Sequence, residues 1–588
     1  MTLATEKLLR VGTVEEVRER GCRVVTGGGH TMAVFPWGDD FAAVDNRCPH
    51  MGFPLDRGTV SNGILTCHWH HARFDLSSGG TFDPFADDAR SFPVSVVDGE
   101  VWVDPSPPET DPVPRWSRRL EDGMEHNIRL VIAKSVLGLN SADADYRVPL
   151  TIGAEFGTTY SDSGWGQAMS MMTCSANMLD HLNQDDRSLA LYQGIRHVAS
   201  ECAGRPPRFL VDPLPTGETR PEVFKQWFRD FIEVRDDEGA ERCLRTAIDL
   251  GISQREIADM IFAAATDRVY IDAGHVVDFC NKAFELLDHI GWEHASLVLT
   301  SLVHGMATAR RSEELNSWRN PIDLVSMVQE ARAALPDLWA EGKASRGQLK
   351  AGHVKRHDEE SLVATILEDD PADTLDALKE AVRVGATAEQ IGSAVAYAAF
   401  LRMARFHTSN EFGDWDTVHN TLTAANALHQ ALLRAPSVEL LRAAFDTAIS
   451  VYLDRFLNMP AQRLPEPNGV GSSEDIGQEI LDTMNSQQQV EQSARLVTDY
   501  VAGLDDPDSV LSVLAHAMLR EDSTFHHFQI VDAAIKQYEL RRGTDSARHV
   551  LVGMSRFLAA HYPTPRSVNQ TFNIAVRLNR GDEIFREE

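Results

Sequence analysis

The chain has 588 residues and a formal net charge of −31, with 43% hydrophobic and 24% charged residues. This length exceeds what one hydrophobic core supports, so several domains are expected. The acidic balance disfavours nucleic acids and anionic membranes as partners, because both repel negative charge. No apolar run approaches the ~20 residues of a membrane span, and we expect no signal peptide at the N-terminus.

The seven cysteines are scattered along the sequence, at positions 22, 48, 67, 174, 202, 243 and 280. An odd and dispersed set argues against a disulfide framework and favours a reducing compartment. We therefore expect a cytoplasmic protein. The five cysteines outside the motif described below are expected to pack as small apolar side chains.

Short β-strands are predicted from about Val11 to Asp104, where runs rich in Val, Phe and Trp are punctuated by Gly, Asp and Asn. A run with prolines at 105, 107, 108, 112 and 114 follows. Such a run predicts an extended, semi-rigid linker over residues 106–117. The first domain is therefore predicted to be all-β and to span residues 1–105.

Two Cys/His pairs lie in this β region, as Cys48-x-His50 and, after sixteen intervening residues, Cys67-x-x-His70. Pairs at these spacings suit either zinc or a [2Fe–2S] cluster. Structural zinc sites usually place their ligands on knuckles or on a helix. Here each pair instead ends a predicted strand and opens a loop rich in Gly and Pro, so the context favours the cluster.

The runs CPHMG at 48–52 and CHWHHARFDLSSGG at 67–80 resemble the Rieske family, over roughly residues 8–105. The resemblance implies a β-sandwich whose two loops clamp the cluster. It also implies that the thiolates of Cys48 and Cys67 hold one iron, while the neutral imidazoles of His50 and His70 hold the other. Exchanging two thiolates for imidazoles raises the reduction potential above that of an all-cysteine cluster.

The Rieske proteins of respiratory and photosynthetic complexes add two cross-linking cysteines and a serine near the cluster. Phe53, Trp69 and Ala72 stand at the corresponding positions of this chain. The resemblance therefore implies the lower-potential branch of soluble ferredoxins and oxygenase components. In that branch, a reductase or another ferredoxin is the expected electron donor.

Beyond Arg118 the apolar residues recur at helical spacing, which predicts a large all-α region. We divide it into helical lobes at residues 118–330 and 331–588. Segments 245–268 and 379–402 align without gaps, which indicates an internal duplication. The predicted fold class is thus multidomain, an N-terminal all-β Rieske sandwich followed by a large all-α domain.

The repeated segment also has a faint similarity to carboxymuconolactone decarboxylase and alkylhydroperoxidase-D-like helical proteins. That similarity rests on a helix-Gly-x-[Ser/Thr]-x-x-[Glu/Gln]-Ile pattern in each copy. Their peroxidase chemistry uses a Cys-x-x-Cys pair, which this sequence lacks. The resemblance therefore concerns the fold and not the thiol chemistry.

Metal-ligand residue types are dense in the helical region. His407 and Glu411 are four positions apart, hence on one face if that segment is helical. The first copy holds His275, and the C-terminal part supplies Asp522, His526 and His527. Facing helices with such residues suit a second, non-haem metal site, for which His275, His407 and Glu411 are the candidates. The alternative is that these residues cap helices and form buried hydrogen bonds.

The iron-binding pattern of Rieske ring-hydroxylating oxygenases is not reproduced, since Asp272-x-x-His275 is followed by Asp278 rather than by a second histidine. We still predict a cytoplasmic oxidoreductase that passes electrons from a reductase or ferredoxin to a site in the helical domain. Oxygenase-like chemistry on a small organic substrate would follow there. The alternatives are a non-enzymatic electron carrier or redox sensor with a helical binding scaffold, and a helical enzyme whose Rieske domain is structural.

Overall fold

The computed structural model describes residues 8–107, 111–271, 275–349, 358–467, 476–503, 508–582 and 584. The chain separates into two compact units: the N-terminal unit, Met1–Ile152 with Val568–Glu588, and the helical unit, Gly153–Ser567. The division of the helical part into lobes at 118–330 and 331–588 stays a prediction. Among the described helices, none has the length and apolar character to cross a membrane.

Within the described residues, the N-terminal unit has ten strands in three antiparallel sheets, ordered β1-β10-β9, β2-β3-β4-β8 and β5-β6-β7. The strands are β1 Leu9–Thr13, β2 Arg23–Gly27, β3 His30–Trp37, β4 Asp40–Asp45, β5 Thr59–Ser61, β6 Ile64–Thr66, β7 Arg73–Asp75, β8 Ser91–Phe92, β9 Val94–Val97 and β10 Glu100–Val103. The predicted all-β N-terminal domain is confirmed.

Strand β3 shows how this region is built around two cores. Successive side chains of a strand point to opposite faces, and here both faces are covered. Met32 and Val34 pack in one apolar cluster with Val101. Ala33 and Phe35 pack in a second cluster, which also holds the two motif cysteines. The cysteines are therefore placed by the core of the sheet region.

The remaining described structure is helical, and the predicted all-α region is confirmed. The helices are α1 Val14–Arg20, α2 Pro112–Glu125, α3 Arg129–Ser141, α4 Arg147–Thr159, α5 Gln167–Asn177, α6 Gln184–Cys202, α7 Pro221–Glu233, α8 Asp237–Asp249, α9 Gln254–Ala265, α10 His275–Ile290, α11 Ala295–Thr300, α12 Val303–Thr308, α13 Leu324–Leu349, α14 Glu359–Ile366, α15 Pro371–Arg383, α16 Ala388–Ala404, α17 Phe412–Arg434, α18 Val438–Leu453, α19 Ile476–Thr483, α20 Val490–Gly503, α21 Ser509–Leu519, α22 Phe525–Leu540, α23 Asp545–His561 and α24 Val568–Asn579.

Helix α2 begins inside the segment that was expected to be an extended linker. The Asp111 carboxylate accepts a hydrogen bond from the Val113 N–H at 3.0 Å, and Pro112 occupies the first turn. Proline is favourable there, because the first-turn N–H groups have no partner within the helix. Residues 112–117 are therefore helical, and the linker prediction is wrong for them. The N-terminal unit continues through α2 and α3 and includes α24.

The two copies of the repeated segment share their local structure. Helix α8 ends before Gly251 (φ 74°), and the Ser253 capping box starts α9. Helix α15 ends before Gly385 (φ 102°), and the Thr387 capping box starts α16. A glycine with left-handed φ followed by a capped helix is the expected result of that pattern.

Four helices from distant parts of the sequence form the centre of the helical unit. Helix α5 packs on α10 and α22, and α17 packs on the same two helices. The four helices therefore form a closed arrangement whose inner faces meet. The polar clusters described below lie on these helices.

Candidate functional site

The four residues of the Cys/His motif come together at two loops of the β region. Cys48 and His50 lie in the loop between β4 and β5, and Cys67 and His70 lie in the loop between β6 and β7. Cys67 directly follows the last residue of β6. The expectation that each pair follows a strand is therefore met.

Both loops close in the same way. Each cysteine N–H donates to a carbonyl five positions later, from Cys48 to Phe53 at 2.8 Å and from Cys67 to Ala72 at 2.9 Å. In the first loop, Gly52 (φ 85°) supplies the left-handed conformation before the acceptor. The two loops thus present their cysteines in matching conformations.

The four side chains face one another. The ring centroids of His50 and His70 are 4.8 Å apart, and the rings are nearly perpendicular. The thiols of Cys48 and Cys67 are buried and hydrogen-bonded to each other. His50 is half-buried and His70 is exposed. Two sulfur donors therefore lie inside, with two imidazoles towards solvent.

The electrostatics favour the metal-binding forms of these groups. Burial lowers the pKa of His50 to about 4 and that of His70 below its ordinary value, so both imidazoles are neutral. A hydrogen bond from Cys48 lowers the pKa of Cys67, outweighing burial, and the Trp69 N–H contributes in the same direction. The thiolate is thus favoured at Cys67.

The donors fit an iron–sulfur cluster. The Nδ1 atom of His50 is buried and has no hydrogen-bond partner among the described residues. A buried nitrogen of this kind costs about 1–3 kcal/mol unless something binds it. Two soft sulfur donors and two imidazoles are the set that a [2Fe–2S] centre of mixed ligation requires.

Helices of the N-terminal unit anchor the first loop, a feature that the sequence analysis missed. Lys134 of α3 donates to the Pro49 carbonyl and pairs with Asp87. Arg119 of α2 pairs with the same carboxylate at 3.1 Å. Burial alone would raise the pKa of Asp87, but Lys134 and then Arg119 outweigh it and lower that pKa. The loop is thus fixed by partners far away in sequence, which no local pattern reveals.

Two aromatic rings stand where the resemblance places the cross-linking cysteines of other Rieske branches. The rings of Phe53 and Trp69 have centroids 6.3 Å apart. Ala72, at the serine position, is fully buried. None of the seven cysteines forms a disulfide. No disulfide joins the two loops.

His407 and Glu411 do not share a helical face. Helix α16 ends at Ala404 and α17 begins at Phe412, so both candidates lie in the connecting segment. The ring of His407 hydrogen-bonds to the Ser409 hydroxyl at 2.9 Å. Glu411 is the exposed N-cap residue of α17. Because α17 begins only after Glu411, neither side chain lies on the helical face that the four-residue spacing predicted.

His275 does lie at a candidate binding site. It begins α10 and stacks on Phe279, with ring centroids 5.5 Å apart. It lines a cavity of about 240 Å³ in the helical unit. The cavity is mainly apolar, and its polar groups include Tyr270, His275 and Arg310. A cavity of this size and character suits a small organic molecule.

Next to it is a group of imidazoles, the histidine cluster, defined as His275, His419, His526 and His527. The rings of His419 in α17 and His526 in α22 have centroids 4.6 Å apart. His419 is fully buried, and neither of its ring nitrogens has a hydrogen-bond partner among the described residues. Burial first, then the charges of His526 and His275, keep the pKa of His419 far below its ordinary value.

A second polar group, the buried ionic cluster, consists of Lys282, Glu285, Asp532 and Lys536 from α10 and α22. Lys282 is 2% exposed and contacts both carboxylates. Lys536 contacts the same two carboxylates, and the Asn177 amide donates to both. Two cations offset two anions, so this cluster is internally satisfied. The spacing of Asp278, Lys282 and Glu285 places them on one face of α10, and this spacing in the sequence could have indicated the cluster.

Within the described residues, no three His, Cys, Asp or Glu side chains already converge as a complete site for a single metal ion. His419 and His526 therefore offer a pair of nitrogen donors rather than a finished coordination shell. His275 is the only one of the three candidates predicted for a second site that lies beside this pair.

Comparison with known proteins concerns the N-terminal region. The Rieske [2Fe–2S] domain family matches residues 7–93. The chain is 34% identical over 97 residues to the 3-phenylpropionate/cinnamic acid dioxygenase ferredoxin subunit of Photorhabdus laumondii, covering 16% of this chain and 91% of that one. It is 30% identical over 94 residues to the anthranilate 1,2-dioxygenase ferredoxin subunit of Burkholderia cepacia, covering 16% and 87%.

A longer relative matches this chain over a short stretch. Apoptosis-inducing factor 3 of Homo sapiens is 37% identical over 81 residues, which are 14% of this chain and 13% of that protein. The family match over residues 7–93 includes the loops where sulfur and imidazole donors converge, and the matches to the two ferredoxin subunits cover most of their length. The N-terminal region therefore carries a [2Fe–2S] cluster, and through it the chain belongs to the Rieske [2Fe–2S] family.

Proposed function

We propose that this chain is a Rieske oxidoreductase that takes electrons from a reductase or ferredoxin and passes them to a site in its helical region. The single observation that carries the proposal is the paired imidazoles of His50 and His70 at the outer side of two buried thiols. That arrangement places one-electron redox chemistry close to solvent, where a donor protein has access.

Cys48 and Cys67 hold one iron of the cluster in this proposal, and His50 and His70 hold the other. The unpartnered, buried Nδ1 of His50 and the neutral state of both imidazoles support the assignment. The bound cluster supplies one-electron transfer at a potential raised by its imidazole ligands. Lys134 keeps the first loop in place through the Pro49 carbonyl.

The docking face for the electron donor is formed by the second loop. His68, His70 and His71 are exposed there. The Trp69 ring lies against His70, with centroids 4.4 Å apart, and holds that imidazole in place. A rigid and exposed imidazole suits short-lived contact with a redox partner.

The cavity beside His275 is the proposed place for a small organic substrate. Its walls are largely apolar, while Tyr270 and Arg310 offer polar contacts. The two ferredoxin subunits similar to this chain are named as parts of dioxygenases, which supports an oxygenase-type reaction. The five cysteines outside the cluster motif form no disulfide, which supports the cytoplasm as the compartment.

The test of the cluster assignment uses the full chain reconstituted anaerobically with iron and sulfide. We expect wild-type protein to be reduced by an NADH-linked ferredoxin reductase and to give the EPR signal of a reduced Rieske centre. His70→Ala removes an iron ligand, so the Rieske signal should disappear. Iron, acid-labile sulfide and EPR intensity are measured together.

The matched control is His71→Asn, one position away. His71 has a left-handed φ of 61°, which asparagine tolerates better than most residues. When both variants are reduced chemically with dithionite, which needs no docking face, His71→Asn should keep the iron, the sulfide and the EPR signal. An unchanged signal in His70→Ala, or an equal loss in both variants, would contradict the ligand assignment.

A further inference from the structure

The histidine cluster has a donor that nothing in the fold uses. His419 is fully buried, and neither of its ring nitrogens has a hydrogen bond of good geometry among the described residues. The adjacent Asn420 side chain is the weakest of the influences on its pKa. A neutral imidazole carries one donor and one acceptor, and buried polar groups of folded proteins are almost always bound. A buried imidazole at this position is therefore expected to bind a ligand or ion from outside the polypeptide.

A carboxylate orients the neighbouring imidazole. The Nδ1 atom of His526 lies 2.7 Å from Oδ1 of Asp416, which is on α17 with His419. Metal-binding histidines generally donate one ring N–H to a carboxylate, which fixes the ring and leaves the other nitrogen as ligand. The Asp416–His526 contact is this arrangement, with Nε2 of His526 as the available atom.

The spacing of the pair fits two imidazoles on one metal ion. The centroids of His419 and His526 are 4.6 Å apart, compared with 4.8 Å for His50 and His70 in the cluster loops. The buried ionic cluster on the same helices is different, because its two lysines already neutralise its two carboxylates. Of the two polar clusters on these helices, the histidine cluster is the one that combines close donors with ring nitrogens unpaired among the described residues.

We propose that His419 and His526 bind a divalent first-row transition metal ion, with Asp416 as the residue that positions His526. Imidazole ligands suit ions such as Fe²⁺ and Zn²⁺, and water or substrate completes the coordination. His275 stands beside the pair and lines the cavity of about 240 Å³. Of these ions only iron can take the electron, since zinc has no redox chemistry. Iron oxidised by O₂ to Fe³⁺ accepts one electron from the reduced cluster and returns to Fe²⁺, a role that rests on the proposed function.

The test is metal analysis of the full chain, reconstituted with Fe²⁺ and sulfide and freed of unbound metal. Acid-labile sulfide reports the [2Fe–2S] cluster, and iron in excess of the sulfide reports the second site. We expect about one surplus iron per chain in the wild type. His419→Ala and His526→Ala should lose the surplus iron and keep both sulfide and the Rieske EPR signal. Asp416→Asn should weaken Fe²⁺ binding by about 10- to 100-fold.

His407→Ala is the matched control and should keep the surplus iron. The His407 ring bonds to nearby Ser409 atoms within the described structure. Circular dichroism checks that each variant is folded. If His419→Ala is unfolded, Asp416→Asn decides, because Asp416 lies at a partly exposed position. Wild-type protein with a full cluster but no surplus iron, or folded variants that keep it, would overturn the proposal. Absence of the cluster itself would instead count against the proposed function.

Discussion

The cluster loops and the histidine cluster each bring two imidazoles together, but they do so by different means. His50 and His70 are twenty positions apart and lie on two loops of one sheet region. His419 and His526 are 107 positions apart and lie on two long helices. The first pair is partly exposed, whereas His419 is fully buried.

The difference shows what a short motif can encode. Loops that follow paired strands place their donors by local geometry, so the spacing of the donors in sequence is itself the signature. Donors on packed helices meet only after the helices have assembled, and their spacing in sequence carries no signature. The four predictions below test this contrast, from the largest expected effect to the smallest.

The largest effect is expected from removing a buried thiol of the cluster loops, compared with removing a buried thiol of the helical region. Cys67→Ala deletes a proposed cluster ligand and should abolish the [2Fe–2S] cluster. Cys243→Ala, in a fully buried position of α8, should leave it intact. Visible absorption and acid-labile sulfide measure the outcome. Loss of the cluster in both variants would mean that the cysteines of the two regions do not differ in role.

Removal of one partner from the buried ionic cluster should strongly destabilise the helical unit. Lys282→Met leaves the two carboxylates with Lys536 as their only lysine, and breaking a buried pair costs about 3–5 kcal/mol. Lys379→Met removes the half-buried partner of the exposed Asp376 and should cost less than about 1 kcal/mol. Urea unfolding followed by helical circular dichroism compares the midpoints. Equal shifts would show that burial of Lys282 has no energetic consequence.

His429 should make the helical unit less stable in mild acid. Burial lowers its pKa to about 4, although Gln537 hydrogen-bonds to it; Arg541 lowers the pKa further and Glu359 raises it. The unfolded imidazole takes up a proton below its ordinary pKa of about 6.5, while the folded one stays neutral. Stability should therefore fall between about pH 6.5 and pH 4, by up to about 1.4 kcal/mol per unit.

The matched variant is His429→Gln, which cannot take up that proton and should give a flatter dependence. Thermal midpoints between pH 4 and pH 7 provide the comparison. A slope in the variant equal to that of the wild type would assign the acid sensitivity to other groups.

The smallest effect concerns the cluster environment. Ala72 is buried beside the cluster loops, and Ala72→Ser adds a hydroxyl near the sulfurs. A hydrogen bond of about 0.5–1.5 kcal/mol that favours the reduced cluster would raise the one-electron potential by up to about 60 mV. Potentiometric titration by EPR measures the shift. A lower potential in the variant would contradict this placement of the hydroxyl.

The N-terminal region could be predicted from the sequence to the level of its site. The two strands that precede Cys48 and Cys67, and the loops that follow them, depend on local turn chemistry and on alternating apolar residues. The contribution of α2 and α3 was missed, because Pro112 and Pro114 were interpreted as part of an extended linker. In the structure they lie in the first turn of a helix that carries Arg119 to Asp87.

In the helical region, the all-α character and the repeated segment could be predicted from the sequence, but the contacts between side chains of different helices could not. His407 and Glu411 were grouped by their spacing, which has meaning only within a helix, and the helix begins at Phe412. His275 was singled out by the equivalent position in the repeat. Its neighbours His419 and His526 come from helices whose packing the sequence pattern does not specify.

The most direct measurement is the rate at which the reduced cluster loses its electron to the helical region. The full chain is reduced anaerobically and mixed with oxygen in a stopped-flow instrument, and the absorbance of the oxidised cluster is followed. We predict that His419→Ala, compared with wild type and with His407→Ala, slows reoxidation at least about tenfold, the equivalent of about 1.4 kcal/mol. Equal rates in all three folded proteins would contradict electron transfer to this region.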